Sequence, residues 1–390
     1  AHSLSMVRLS EAFVEGGHEV LFLGRQAVEP DFVGTSPLGF YGASGFDLEL
    51  RPSINTFWKP RRLSRKAETV LHLTVMLREA LMLRHRARQF GPDLIYSRLT
   101  THELLFLRGI APVFFEMHSL GPLARSGIDT KFFQLVVRRQ VIQRFIVTSS
   151  SMQSAISTQV RKMAGKEPDT VLARLSAPNL EKRVVLNEIQ AKSESRRSVK
   201  TKGTCRPRIG YAGSLDVDGV RGTRLIIELS LKLPDADFEL LGGSPGQIDY
   251  WKQEWARHGQ PTNILFHGHR PPDKVYEFLL SCDVLLAPHV AKPAARAPKG
   301  INTSPLKLPQ YLAVGKPIVA SDIPAHQEVL SNGETALLVP YSSTNRWLSA
   351  IQMVLNDRVL AQRLSLAARA DYDAEFTPKA RVSRILDGLQ

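Results

Sequence analysis

The chain has 390 residues, 43% of them apolar and 23% charged, which are ordinary values for a globular protein with two domains. Its formal net charge of +14 favours anionic partners. No apolar run approaches the roughly 18 residues that a membrane span needs, and nothing resembles a secretory signal, so a cytoplasmic protein is expected.

Strands alternate with helices almost throughout, a pattern typical of a parallel α/β architecture. The chain opens directly into a helix, without the strand and glycine turn that begin a doubly wound domain, so the first strand of the N-terminal domain is expected to be missing. In the first half, helices are predicted over residues 4–15, 62–89, 130–143 and 150–163, and strands over 18–23, 93–96, 113–117, 145–148 and 170–173.

The second half restarts the alternation after a polar, charged segment, residues 181–206, which is predicted to be an interdomain linker. Residues 344–388 are predicted to be helical, with a break near Pro378. Strands are predicted over residues 209–212, 238–241, 264–266, 284–287, 318–320 and 336–339. The predicted domains are therefore an N-terminal one over residues 1–180 and a C-terminal one over 207–370, followed by a last helix over 371–390.

The segment from Ser304 to Asp322 carries the most chemical information. Ser304 is a good helix N-cap, and Pro305 suits the first helical position. Such a start leaves backbone N–H groups pointing outward at the positive end of the helix dipole, which is a ready site for phosphate. Lys307 lies in the same turn, where a cation is unfavourable unless an anion lies close, and Gln310 shares its face. The pattern therefore suits a nucleotide diphosphate.

Eight stretches of the chain form a series with a characteristic order and spacing, namely SMVRLSEAFVEGGHEVLFL, PDLIYSR, FFEMHSLG, IGYAGSLDVDGVRG, FELLGGSPG, FHGHRPPDKVYEFLLSCDVLLAPH, SPLKLPQYLAVGKPIVASDIPAHQEVL and EFTPKARVSRIL. Through these stretches the chain resembles, over nearly its whole length, the retaining GT-B glycosyltransferases of family four, the glycosyl transferases group 1 type.

The resemblance implies two Rossmann-like doubly wound domains with parallel sheets, which face a cleft. It implies that a nucleotide sugar binds mainly to the second domain and an acceptor to the first, and that residues 371–390 cross back onto the first domain. It further implies that no divalent metal or other cofactor is needed, because helix N-termini and basic side chains neutralise the diphosphate. In such retaining enzymes the leaving phosphate itself is thought to take the acceptor proton, so no protein nucleophile or general base is assigned.

The resemblance also implies roles for individual residues. Arg221 lies where the family has a phosphate-binding Lys or Arg, and His118 lies where it contacts the sugar or orients the acceptor; a solvated or structural role remains the alternative for each. The residues predicted to be catalytic are His118, Arg221 and Lys307. Those predicted to bind the donor are Gly213, Ser214, Gly242, Gly243, Ser304, Pro305, Leu306 and Gln310.

Three residues depart from the family pattern. Gln310 stands where the family generally has a Glu that binds the donor's ribose, and its amide offers no negative charge. Asn302 is likewise an amide where many members have a carboxylate. Pro309 is expected to remove a helical hydrogen bond and to kink the helix.

Residues 59–88 mix nine basic side chains with leucines and methionine. As an amphipathic basic helix, this region is compatible with an anionic membrane surface on the cytoplasmic side. It is equally compatible with a scaffold helix that has a solvated basic face, and both can hold. Nucleic-acid binding is not expected, because no stacking aromatic motif interleaves the charges.

The sequence therefore predicts a metal-independent, retaining glycosyltransferase that acts in polysaccharide biosynthesis. It would move a hexose from a nucleotide diphosphate sugar to a glycan or lipid-linked saccharide. A catalytically inactive glycosyltransferase-like binding or scaffold protein is the alternative, and a nucleotide-sugar epimerase is a weaker third. The nucleotide base, the sugar and the acceptor stay open.

Overall fold

A computed structural model describes most of the chain and divides it into two compact units. The N-terminal unit consists chiefly of Met6–Arg174 with Val382–Gln390, and the C-terminal unit chiefly of Leu175–Gly300 and Pro305–Arg381. The domain boundaries given by the sequence stay a prediction, and the predicted linker lies, apart from its last residue, outside the described residues. The structure describes residues 2–25, 38, 43–51, 65–98, 103–118, 128–178, 206–257, 262–290 and 307–389.

The N-terminal unit contains two parallel sheets. Its six strands are β1 Leu21–Arg25, β2 Asp47–Arg51, β3 Ile95–Ser97, β4 Val113–Met117, β5 Ile142–Val147 and β6 Thr170–Leu172. β1 pairs with β2, and the other four pair in the order β3-β4-β5-β6. The helices that precede or follow these strands are α1 His2–Glu15, α2 Arg65–Phe90, α3 Leu104–Leu107, α4 Ile128–Arg138 and α5 Ser150–Ala164.

β4 is buried along its whole length, as expected for a parallel strand covered on both faces. Several predictions in this unit were wrong at their edges, and β2 was not predicted. The helix predicted over residues 130–143 ends at Arg138, because Gln140 has a left-handed φ of +52° that a helix does not allow, and Ile142 already belongs to β5.

The C-terminal unit is a single six-stranded parallel sheet covered by helices. Its strands are β7 Arg208–Ala212, β8 Asp237–Leu241, β9 Ile264–Gly268, β10 Val284–Ala287, β11 Ile318–Ser321 and β12 Leu337–Val339. They pair in the order β12-β11-β10-β7-β8-β9. The helices are α6 Thr223–Lys232, α7 Pro245–Ala256, α8 Pro272–Ser281, α9 Lys307–Val314, α10 Pro324–Gln327, α11 Thr344–Asn356 and α12 Arg358–Asp371. A last helix, α13 Pro378–Leu386, begins in this unit and ends in the N-terminal unit, which includes Val382–Gln390.

Buried apolar side chains line both faces of this sheet. Tyr311 of α9 is fully buried on one face, and Trp251 of α7 and Trp347 of α11 are buried on the other. The predicted helix over residues 344–388 breaks twice, near Pro378 as expected and also at Asp357. There the Asp357 carboxylate accepts a hydrogen bond from the Leu360 amide at 2.9 Å and so caps α12.

Both units are therefore parallel α/β structures, as the sequence predicted. Across the part of the chain that the structure describes, no helix is both long enough and apolar enough to cross a membrane.

Candidate functional site

The strand order of the C-terminal sheet reverses at one point, between β7 and β10. From β7 the chain builds β8 and β9 on one side, and then returns to build β10, β11 and β12 on the other. In open parallel sheets, ligands bind outside the carboxyl ends of the strands where the order reverses in this way. Gly213 directly follows β7, and Pro288 and His289 directly follow β10, so these residues lie at the reversal point.

The backbones of two predicted glycines touch at this point. The Gly213 amide donates to the Leu241 carbonyl at 2.9 Å. A Cβ built on Gly242 would lie 2.0 Å from the Gly213 carbonyl oxygen, and Gly242 has a φ of +123°. Only glycine fits there, so the ends of β7 and β8 pack backbone against backbone at this point.

Lys307, the first residue of α9, extends across Gly213 to an aromatic ring. Its Nζ lies 3.9 Å from the ring centroid of Tyr211, a cation–π distance, and a Cβ on Gly213 would lie 2.9 Å from the same atom. Tyr211 is held in place because it is buried and its hydroxyl donates to the Ser214 carbonyl at 2.8 Å. Burial lowers the pKa of Lys307 well below its usual range, the positive charge of Arg221 lowers it further, and Asp216 opposes both.

Arg221 lies in the loop between β7 and α6. Its Nε is 3.3 Å from Oδ2 of Asp216, and the other oxygen of that carboxylate accepts a hydrogen bond from the Ser214 hydroxyl. The side chain of Arg221 remains 30% exposed. Gly222 then begins α6 in a left-handed conformation, without a side chain that caps the helix. Uncapped helix amides beside a guanidinium are suited to bind an anion.

Two histidines border the same loop. The amide of His289 donates to the Ser321 hydroxyl oxygen at 2.7 Å, and the carbonyl of Ser321 lies 2.9 Å from Nδ1 of His326. The two rings are 6.0 Å apart at nearly right angles. Burial, followed by the positive charge of Arg221, lowers the pKa of His289 to about 4. Burial, followed by His289, lowers the pKa of His326 to about 3. Both rings are therefore uncharged at neutral pH.

The balance of charge at this end of the sheet favours an anionic ligand. The positive charge of Arg221 lowers the pKa of Lys307, and the Asp216 carboxylate acts on both side chains. A negatively charged ligand favours the charged form of Lys307, whose pKa burial and Arg221 lower. A diphosphate would bring two such charges to bare backbone, a helix start and two cations.

His118 belongs to the N-terminal unit, one residue after β4, and has its own neighbours. Its Nε2 lies 2.6 Å from Oε1 of Glu116, which is completely buried and also accepts a hydrogen bond from the Tyr96 hydroxyl. Its Nδ1 lies 3.4 Å from a guanidinium nitrogen of Arg98. These contacts fix the orientation of the ring, since each nitrogen faces a protein group.

The structure brings together five of the predicted site residues: Gly213, Ser214, Arg221, Gly242 and Lys307. Gly243 lies beside them, where a Cβ would come within 2.8 Å of Leu215, and Ser244 caps α7 as expected. Gln310 is partly buried one turn further along α9. Ser304, Pro305 and Leu306, together with Asn302, lie outside the described residues. That these residues bind a ligand stays a prediction.

Two expectations about this site need correction or extension. Pro309 does not interrupt α9, which runs without a break from Lys307 to Val314. Sequence reasoning also missed Tyr211, His289 and His326. The positions of Tyr211 within β7 and of His289 just after β10 point to them once the strand order is known, whereas His326 belongs to the short helix α10.

Comparison with known proteins bears on both units. Residues 206–357 match the family described as Glycosyl transferases group 1. Over 167 residues the chain is 23% identical to D-inositol 3-phosphate glycosyltransferase of Corynebacterium diphtheriae, a match that covers 42% of this chain and 36% of that protein. The chain therefore aligns with little more than a third of this curated relative.

Solved structures resemble the chain over nearly its full length. HepE of Anabaena in complex with UDP-glucose has a TM-score of 0.68 at 16% identity. The similarity covers 99% of this chain and 95% of the HepE chain. A glycosyltransferase from Rickettsia africae has a TM-score of 0.68 at 15% identity, with the same coverage of 99% and 95%. Sucrose-phosphate synthase from Thermosynechococcus elongatus has a TM-score of 0.64 at 17% identity and covers 96% and 89%.

The fold is thus the GT-B fold of these solved structures, with two parallel α/β units. More specifically, residues 206–357, which hold Lys307 and Arg221, match the family of group 1 glycosyl transferases.

Proposed function

We propose that the chain is a retaining, metal-independent glycosyltransferase that moves a hexose from a nucleotide diphosphate sugar to a glycan or lipid-linked saccharide in polysaccharide biosynthesis. One observation carries this proposal. Lys307 lies over the backbone of Gly213, and the positive charge of Arg221 acts on Lys307, at the strand-order reversal of a domain that matches the group 1 family. His118 as a contact to sugar or acceptor, and Gln310 as a ribose ligand, remain part of the proposal.

The chemistry required of this site is stabilisation of a leaving group. Breaking the bond between sugar and phosphate develops negative charge on the nucleotide diphosphate. Positive groups that are already in place where this charge develops contribute about 3–4 kcal/mol per donor in comparable sites. Lys307 and Arg221 supply two such groups without a metal ion, and the amides at the start of α6 supply further donors.

The similar structures favour uridine as the nucleotide. HepE of Anabaena was solved with UDP-glucose, with UDP, and with UDP and glucose. A uridine diphosphate sugar is therefore the first donor to test, with adenosine and guanosine diphosphate sugars beside it.

The first test is a thermal-shift screen with UDP, ADP and GDP. A ligand that binds only the folded protein raises Tm by mass action, by an amount that corresponds to about 2.7 kcal/mol at a hundredfold excess over Kd. We expect one nucleotide to stabilise the parent and to lose this effect in Arg221→Ala. Arg224→Ala is the matched control, because Arg224 lies three residues later, is 57% exposed and pairs with Glu254 instead. Equal stabilisation of parent and Arg221→Ala would contradict the assignment of Arg221.

The second test separates an enzyme from an inactive binding protein, an alternative that the amide of Gln310 favours because it replaces a carboxylate. Release of free nucleotide from the sugar donor is measured with and without a saccharide acceptor, in the presence of EDTA. Turnover that survives EDTA supports the metal-independent transferase. Binding without turnover, for any donor and acceptor tried, supports the scaffold.

The outer face of α2 supports a peripheral association with an anionic membrane. Its inner side chains Met76 and Ala80 are buried, yet four large apolar side chains on the other side are 37–50% exposed, namely Leu73, Leu77, Leu81 and Met82. Arg78 and Arg88 are exposed among them. Within the described side chains of this helix, the one carboxylate is Glu79, which is not on the exposed face. Apolar and basic groups on one face suit an anionic lipid surface.

Co-sedimentation with vesicles tests this part. We expect the parent to bind vesicles that contain phosphatidylglycerol, to bind neutral phosphatidylcholine vesicles weakly, and to lose binding in Leu77→Glu with Leu81→Glu. Leu366→Glu is the control, because Leu366 is 64% exposed on α12 of the other unit. Equal binding of both variants would contradict a lipid-binding role of α2.

A further inference from the structure

His289 has a hydrogen-bonding pattern that the proposed function leaves unexplained. Its Nδ1 lies 3.1 Å from the Val290 carbonyl oxygen, which can only accept, so Nδ1 carries the hydrogen of the neutral ring. Nε2 is then a hydrogen-bond acceptor. This atom is buried, and among the described residues it has no hydrogen-bond partner. A buried acceptor without a donor is unfavourable by about 1–3 kcal/mol, so the neutral ring is held in a destabilised state.

The charges around His289 explain why it is neutral. Burial lowers its pKa most, and the positive charge of Arg221 from the β7–α6 loop and that of Lys307 from α9 lower it further. Asp218 from the same loop opposes them. The ring of His326, from α10, is uncharged at neutral pH and adds no compensating charge. Burial, together with these two cations, therefore opposes a proton on Nε2.

We propose that a diphosphate ligand, when it binds to Lys307 and Arg221, causes His289 to take up a proton on Nε2, so that the site gains a third positive charge. The inference rests on the proposed function and adds a proton to the binding step. The proton comes from a buffer acid, which becomes its conjugate base, and the lone pair of Nε2 forms the new N–H bond. The two phosphate charges offset the cations that oppose protonation, while the orphaned acceptor becomes a donor.

A defined pH dependence follows. A group whose pKa rises on binding makes the complex tighter as the pH falls, by up to about tenfold in Kd per pH unit for one proton. The probe is UDP-glucose, because both phosphates of a pyrophosphate diester are fully ionised between about pH 5 and pH 8 and its own titration does not interfere. ADP-glucose and GDP-mannose are run beside it for the same reason.

The experiment is calorimetric titration of the full chain at pH 6.5 in two buffers that differ in ionisation enthalpy. The dependence of the observed heat on the buffer gives the number of protons taken up per ligand. We expect the parent to take up more protons than His289→Gln, by between about one half and one. His269→Gln, on an exposed histidine of the same unit, should match the parent.

The outcomes separate the inference from the function. If a sugar nucleotide binds and the parent and His289→Gln take up equal numbers of protons, the inference is wrong and the proposed function stands. If none of the three sugar nucleotides binds, both are wrong. If His289→Gln does not fold, NMR of the parent with labelled histidine decides. The His289 resonance must then move to the imidazolium position on ligand addition at pH 6.5, and an unchanged neutral resonance overturns the inference.

Discussion

A single methyl group on Gly213 should displace the cation of the proposed diphosphate site. In Gly213→Ala, the added Cβ would lie 2.9 Å from Nζ of Lys307, 2.9 Å from the Tyr211 hydroxyl and 3.2 Å from Cε of Lys307. Carbon atoms do not approach other heavy atoms this closely in packed proteins, so something must move. Because Nζ is the end of a flexible side chain, we expect Lys307 to leave the Tyr211 ring while the fold persists.

The expected loss of binding follows from the interaction that is displaced. A hydrogen bond to a charged group contributes about 1.5–3 kcal/mol, which is a factor of about ten to a hundred and fifty in Kd. Titration calorimetry with UDP would measure it, and urea unfolding would check stability. The control is Gly246→Ala, because a Cβ there meets no atom within 4 Å.

A double-mutant cycle then tests the reasoning itself. If Gly213 acts by positioning Lys307, the variant that combines Gly213→Ala with Lys307→Met should bind UDP no more weakly than Lys307→Met alone, since the same interaction cannot be lost twice. Additive losses in Kd would refute the argument, because they would mean that Gly213 contributes independently of Lys307.

Other predictions concern stability. Burial raises the pKa of Glu239, but hydrogen bonds from His267 and Arg208 lower it to about 2. Glu239→Gln should therefore reduce the free energy of unfolding at pH 7 by about 2–3 kcal/mol, measured by urea titration. An unchanged urea midpoint would contradict this. His326 has a folded pKa of about 3 against 6.5 when unfolded, so the unfolded chain binds its proton first as the pH falls. Stability should therefore decrease below about pH 6.5, by up to about 1.4 kcal/mol per pH unit, and less steeply in His326→Gln. Arg144 donates to carbonyls at the end of α13, so Arg144→Met should speed proteolysis there, and equal rates would argue against this tie.

Much of the fold could be predicted from the sequence because strands of parallel sheets are short apolar runs between amphipathic helices. The C-terminal strands were found within one or two residues for this reason. Two of the errors occur where a single residue overrides the pattern. Gln140 adopts a left-handed φ, and Asp357 caps a new helix inside a continuous helical pattern. A left-handed non-glycine residue has no sequence signal, and an Asp in a helical pattern is usually just an exposed side chain.

The site could be predicted only in part, because some of its residues are far apart in the sequence and meet only in the folded sheet. Gly213 and Lys307 could be found because each belongs to a local motif. Tyr211 and His289 could not, because their roles depend on which strands are neighbours. Tyr211 looks like any buried strand residue until Lys307, almost a hundred positions later, is seen over its ring.

The contact between Asp216 and Arg221 has a consequence for turnover. In the absence of ligand, the guanidinium already has an internal counter-ion at 3.3 Å, so an incoming diphosphate must compete with a carboxylate that cannot diffuse away. In the proposed transferase, this competition weakens the binding of the nucleotide product, so Asp216 favours its release before the next donor binds.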